Sequence, residues 1–201
     1  MHRIRLGVLL LSLFLYGCVT MPGGIRTNVS EFDGSNEIVM EPAWVCKEST
    51  FGDCHIKLGL YWRSTMPQDK LILVAMTDGI NAFSNGKSLY FNIDGEFVSF
   101  DSIDTLTEYD ISEGTYMKGF IASGTYVPGI YIPPVNWSSQ RYIVDKYFME
   151  KILKAQRVAV RLDLRRGYVE GVFSKDDPML ARPAFRDFFN KVFGNLQKDG
   201  K

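Results

Sequence analysis

The chain has 201 residues, with 23 Lys+Arg against 23 Asp+Glu, and is 46% hydrophobic with 14 Phe, 10 Tyr and 3 Trp. The balanced charge excludes the basic excess that a nucleic-acid binder would show, and the apolar fraction excludes a largely disordered chain. The length suits one domain with a short appendage.

The first element is a targeting segment. His2, Arg3 and Arg5 form a basic start, and an apolar run of 11 residues follows from Leu6 to Tyr16. A membrane-spanning helix needs about 20 apolar residues, so this run is too short to span and fits the apolar region of a secretory signal peptide. It ends in Leu15-Tyr16-Gly17-Cys18. This resembles the lipobox of bacterial lipoproteins: an aliphatic residue, a tolerant position, a small residue and the Cys that is lipidated. The resemblance covers about the first 20 residues. It implies cleavage before Cys18, lipidation of the Cys18 sulfur and acylation of the new amino group, and two or more acyl chains anchor stably. Lipoproteins retained at the inner membrane often carry Asp after the Cys. Val19 stands there instead, so the resemblance implies an outer-membrane destination, facing the periplasm or the cell surface. Removing residues 1–17 takes away Arg3 and Arg5 and leaves 184 residues, 21 basic and 23 acidic, with His55 as the single histidine.

Residues 18–36 carry a Pro, several Gly and no periodicity, and read as the lipidated Cys and a flexible tether. The folded domain is expected over 37–201. Glu37–Cys46 is a candidate strand with Pro42 marking an edge or bulge. Cys46 and Cys54 flank a seven-residue stretch. In an oxidising exported compartment two leftover cysteines read as a disulfide; a metal site would need more ligands than the neighbouring His55. From His55 to Arg63 the residues alternate, with Ile56, Leu58, Leu60 and Trp62 on one side, as in a half-buried strand. Leu71–Met76 is continuously apolar and predicts a central strand covered on both faces. Asp94-Gly95 is a preferred two-residue turn, so Leu89–Phe100 predicts a hairpin pairing Phe91 with Val98 and Leu89 with Phe100. Further strands are expected at 103–109 and 115–121, and a Pro-rich loop over 122–138.

The tail changes period. Ile143, Val144, Tyr147, Phe148, Ile152 and Ala155 predict a helix over 141–155, with Ser138 or Ser139 as its cap. Arg157–Leu164 alternates and turns at Arg166-Gly167 into a strand over 168–174. Phe185, Phe188, Phe189, Val192, Phe193 and Leu196 recur at helical spacing, with Pro183 in the first turn. The order is about six strands, a helix, a hairpin and a helix. The fold class is α+β: a mainly antiparallel sheet or sandwich with two C-terminal amphipathic helices packed on it.

Chemistry is sparse. No Gly-x-Ser-x-Gly elbow, phosphate loop or dinucleotide fingerprint occurs, and one histidine cannot build the common zinc sites, so no catalytic residue, metal or cofactor is assigned. His55 is expected on the surface. Asp101, Asp104, Glu108, Asp110 and Glu113 read as a solvated strand edge. Tyr126, Tyr131 and Trp137, and a basic corner carrying Arg161, Arg165 and Arg166, are the candidate binding surface. The expected role is a lipid-anchored envelope protein held to the membrane by its N-terminal lipid. It would be a non-catalytic binding or assembly module for an envelope protein or cell-wall partner, without nucleic acid. The alternatives are a carboxylate-dependent hydrolase of cell-wall glycans and a spacer without specific ligand.

Overall fold

The computed structural model describes residues 23–47, 53–111, 115–117, 120–122, 125–127, 130–132, 136–173 and 181–196; Cys18 lies outside them. A six-stranded antiparallel sheet contains β1 (Ile25–Val29), β2 (Asn36–Val45), β3 (Ile56–Arg63), β4 (Lys70–Asp78), β7 (Glu108–Ile111) and β12 (Asn136–Asp145), in the order β1-β2-β3-β4-β12-β7. A four-stranded sheet contains β5 (Lys87–Ile93), β6 (Glu96–Asp101), β13 (Val158–Leu164) and β14 (Gly167–Val172), in the order β14-β13-β5-β6. Two short ladders pair β8 (Thr115–Met117) with β11 (Ile130–Ile132), and β9 (Phe120–Ala122) with β10 (Thr125–Val127). The helices are α1 (Lys146–Lys154) and α2 (Ala181–Leu196). The architecture is therefore mainly antiparallel β with two C-terminal helices, in the expected class.

Period-two alternation builds the core. Ile56, Leu58, Leu60 and Trp62 of β3 and Leu71, Leu73 and Ala75 of β4 are buried on one face of the large sheet. Leu89, Phe91 and Ile93 of β5 and Val158, Val160 and Leu162 of β13 are buried on one face of the small sheet. Both faces, with Phe148 and Ile152 of α1 and Phe185 and Phe188 of α2, form one continuous cluster. Isolated bridges Cys46–Val172, Phe83–Leu164 and Ser102–Tyr142 tie the two sheets at their margins. Within this core Ser88, Gln140 and Tyr142 satisfy one another by hydrogen bonds of 2.7–3.2 Å, as buried polar groups must.

The hairpin has the expected register: Phe91 pairs with Val98 and Leu89 with Phe100. Asp94 (φ 50°) and Gly95 (φ 96°) supply the left-handed pair that a two-residue turn requires. Pro42 falls where the β2–β3 register shifts, between Met40 and Ala43. Cys46 and Cys54 are joined by a disulfide.

Other expectations are corrected. Residues 25–29, read as tether, form β1, paired along its length with β2. Leu71–Met76 is central but not covered twice, because Ile72, Val74 and Met76 stay half-buried on the outward face. The strand expected at 103–109 begins only at Glu108, and the loop expected over 122–138 contains β10, β11 and the start of β12. The helix expected over 141–155 is a strand as far as Asp145. Tyr142 and Val144 are buried while Ile143 is 49% exposed, which is alternation and not a helical stripe. Its cap is Asp145, whose side chain accepts from the Phe148 N–H at 2.7 Å, and neither serine takes that role. Phe189 is half-buried, less covered than Phe188.

Candidate functional site

The outward face of the four-stranded sheet is shaped by one small residue. Across it, Phe97 faces Asn92, Asn92 faces Ala159, and Ala159 faces Val172. The next row places Tyr90 opposite Arg161 and Arg161 opposite Glu170. Ala159 forms a low floor, and the longer side chains around it enclose a groove of about 610 Å³ that Lys47 and Arg157 also line. That volume is in the range of small-ligand sites. Phe97 stands 78% exposed, and Tyr168, across from Asp163, is 56% exposed.

The charges in the groove are organised by pairing. Arg161 donates from Nε to Asp163 at 2.6 Å, lies 4.0 Å from Glu170 and stacks 4.0 Å from the Tyr168 ring centroid. Its hydrogen bond with Asp163 holds the guanidinium above its ordinary range. Lys47 pairs with Asp53 at 2.9 Å, and that bond raises its pKa. The carboxylate of Asp94 accepts from the Gln156 and Arg157 backbone N–H groups, fixing the start of β13 against the hairpin turn. The groove thus offers fixed guanidinium and amide donors, carboxylate acceptors and aromatic edges. It can hydrogen-bond and stack a polar, extended ligand.

A second cluster lies on the outward face of the large sheet. Trp44 and Trp137 meet edge to face with centroids 5.5 Å apart, and the Lys57 ammonium sits 4.1 and 3.9 Å from their rings. Burial there pushes the Lys57 pKa down. Beside it, His55 Nδ1 meets Asp78 at 2.9 Å and Nε2 meets Asp53 at 2.6 Å. The imidazole, with 41% of its side chain exposed, therefore bridges β4 to the disulfide loop. Its pKa is raised, first by the Asp78 hydrogen bond and then by Asp53; that of Asp53 is lowered, first by Lys47. A group whose folded pKa is raised stabilises the fold below its unfolded pKa and loses that contribution as pH rises through the folded value. The stability difference between wild type and His55→Gln is accordingly expected to be largest below about pH 6.5 and to shrink above it. Urea midpoints across pH check this; a difference that does not vary with pH would exclude an ionic bridge.

Of the residues singled out from sequence, Arg161 lines the groove, and Arg165 and Arg166 are exposed on the turn that ends β13. Trp137 belongs to the other sheet, and the side chains of Tyr126 and Tyr131 lie outside the described ones. The acidic stretch is only partly solvated: Asp104, 8% exposed, binds the Arg141 guanidinium at 2.6 Å and its backbone N–H at 2.7 Å. Sequence reasoning missed Tyr90, Asn92, Phe97, Trp44 and Lys57. The hairpin register alone points Tyr90, Asn92 and Phe97 away from the core, so that signal was present; the approach of β13 to β5 was not. Among the described residues no His, Cys, Asp and Glu cluster is placed to hold a metal ion, and no helix is long and apolar enough to cross a membrane. Comparison of the chain with protein-family models, curated proteins and solved structures returns no match.

Proposed function

We propose that the chain is a lipid-anchored cell-envelope protein that binds a cell-wall component through the groove on the outward face of its four-stranded sheet. The lipobox-like Leu15-Tyr16-Gly17-Cys18 supports the anchor and the outer-membrane location, and the Cys46–Cys54 disulfide accords with an exported compartment. The groove carries the binding reading: exposed Phe97 lines it with Asn92, Arg157 and Arg161, and the exposed Tyr168 ring lies against Arg161. Sugar rings stack on such aromatics, and the carboxylates of cell-wall peptides pair with guanidinium groups. The geometry favours binding over hydrolysis, because Asp163 is already engaged by Arg161.

Co-sedimentation of the mature protein with purified peptidoglycan sacculi tests the reading. Phe97→Ala and Arg161→Ala are each expected to weaken binding about tenfold, the equivalent of a central contact contributing about 1.4 kcal/mol. Absence of sedimentation, or sedimentation indifferent to both substitutions, would overturn it. Cys18→Ser is expected to leave an unlipidated precursor; normal maturation and membrane retention of that variant would overturn the anchor.

A further inference from the structure

The strand β1 shortens the link between lipid and domain. The first described residue, Gly23, already lies against the domain, where even a Cβ would come within 2.7 Å of Ala184. Cys18 is five residues earlier. Five residues span at most about 18 Å however they are arranged. A lipid on Cys18 therefore keeps Gly23, two residues before β1, within about 18 Å of Cys18, and the domain cannot hang far from the bilayer.

From that point β1 runs along the margin of the large sheet, with β2 as its one neighbour. Four of its five residues are exposed. It ends in a turn that is firmly built. Ser30 N–H donates to Ser35 O, and Gly34 N–H donates to Ser30 O, both at 2.9 Å. Asp33 accepts from the Ser35 N–H at 3.1 Å and from its hydroxyl at 2.7 Å, and it pairs with the Arg63 guanidinium through both oxygens at 3.1 and 2.9 Å. On this fixed turn Phe32 is wholly exposed, at 102%, and Val29 is 62% exposed. A single exposed aromatic is ordinary on a protein surface. Here it crowns a turn held by six hydrogen bonds, on the hairpin that begins at the lipid.

We propose that Phe32, at the tip of the β1–β2 hairpin, enters the interfacial layer of the bilayer that holds the Cys18 lipid. The protein then contacts the membrane at two points, with the β1 margin toward the bilayer and the β7 margin away from it. This rests on the lipid-anchor reading. Length selects the bilayer as occupant, since the acyl chains bring it to the start of this hairpin and Phe32 follows only nine residues after Gly23. Charge sets the lipid. Asp33 is neutralised by Arg63, but Glu31 beside Phe32 makes no ion pair among the described residues. The tip therefore suits a zwitterionic surface better than an anionic one. Six strands about 4.8 Å apart put the opposite margin about 24 Å away, and Leu106, 76% exposed just before β7, marks it.

The test uses the mature, lipidated full chain reconstituted in phosphatidylethanolamine-rich vesicles. With Cys46 and Cys54 bonded and Cys18 acylated, Phe32→Cys and Leu106→Cys each offer one thiol for an environment-sensitive fluorophore. Both proteins should float with the vesicles. The label at 32 should shift to the blue and lose about half its emission to lipids with a spin label high on the acyl chain, the depth reached by interfacial side chains. The label at 106 should do neither. Flotation with an unshifted, unquenched label at 32 would overturn the proposal and leave the anchor standing. Failure to float would overturn the anchor and the proposal together. A blue shift without lipid quenching that grows with protein concentration would assign the tip to a second copy of the chain and overturn the bilayer contact.

Discussion

Phe188→Ala is expected to lower the unfolding free energy by about 3–5 kcal/mol. The side chain is fully buried and belongs to the stripe by which α2 packs on β2 and β3. Helix propensity alone does not hold a helix of 16 residues in place; the buried stripe does. At about 2–4 °C per kcal/mol for a domain of this size, the midpoint should fall by roughly 10 °C, and the urea dependence should keep its slope. Phe189, half-buried and in ring contact with Phe193 at 4.9 Å, should cost less than half as much when truncated. Removing residues 181–201 should prevent folding, because Phe173 would lose its edge-to-face contact with Phe185 at 5.0 Å and the large sheet would lose the cover over β2 and β3. An unchanged midpoint in Phe188→Ala would mean that the stripe is a docking surface and not core.

The second large effect belongs to the disulfide. Cys46–Cys54 closes a loop with a sequence separation of 8, and removing so short a constraint from the unfolded chain costs about 2–3 kcal/mol. More than loop entropy depends on it. The loop holds Asp53, which pairs with Lys47 in the groove and with His55 beside β4. The double variant Cys46→Ser, Cys54→Ser should therefore unfold earlier, and it should also lose the Asp53 part of the pH-dependent contribution of His55 while keeping the larger part that Asp78 supplies. Mass analysis of the untreated mature protein should show two hydrogens fewer than the reduced form. Two alkylatable thiols in freshly isolated, unfolded protein would contradict the bond.

Local chemistry determined a good part of this protein from the sequence alone. Asp94-Gly95 set both the turn and the register of β5 with β6, because only residues tolerant of positive φ close so tight a hairpin. The alternation of β3 and β13 and the helical stripe of α2 followed from the period of their apolar residues. Two cysteines left over in a chain whose N-terminus reads as an export signal were enough to expect the disulfide. Where local and tertiary forces competed, sequence failed. The stretch 138–145 carries Ser138, Gln140 and Tyr142 on its inward face, so its buried side looks polar. It becomes a strand because β4 and β7 pair with it on either side and Ser88 satisfies Gln140 and Tyr142. β1, Ile25-Arg26-Thr27-Asn28-Val29, is too short and too exposed for its alternation to stand out from the Gly-rich stretch around it, and it exists because β2 offers a free edge. The groove arises from β13 docking on β5 across more than sixty residues of chain, and the His55 bridge from Asp78 two strands away from Asp53. Pairing between distant strands depends on which edges remain open after the rest of the chain has folded, and neither period nor propensity records that.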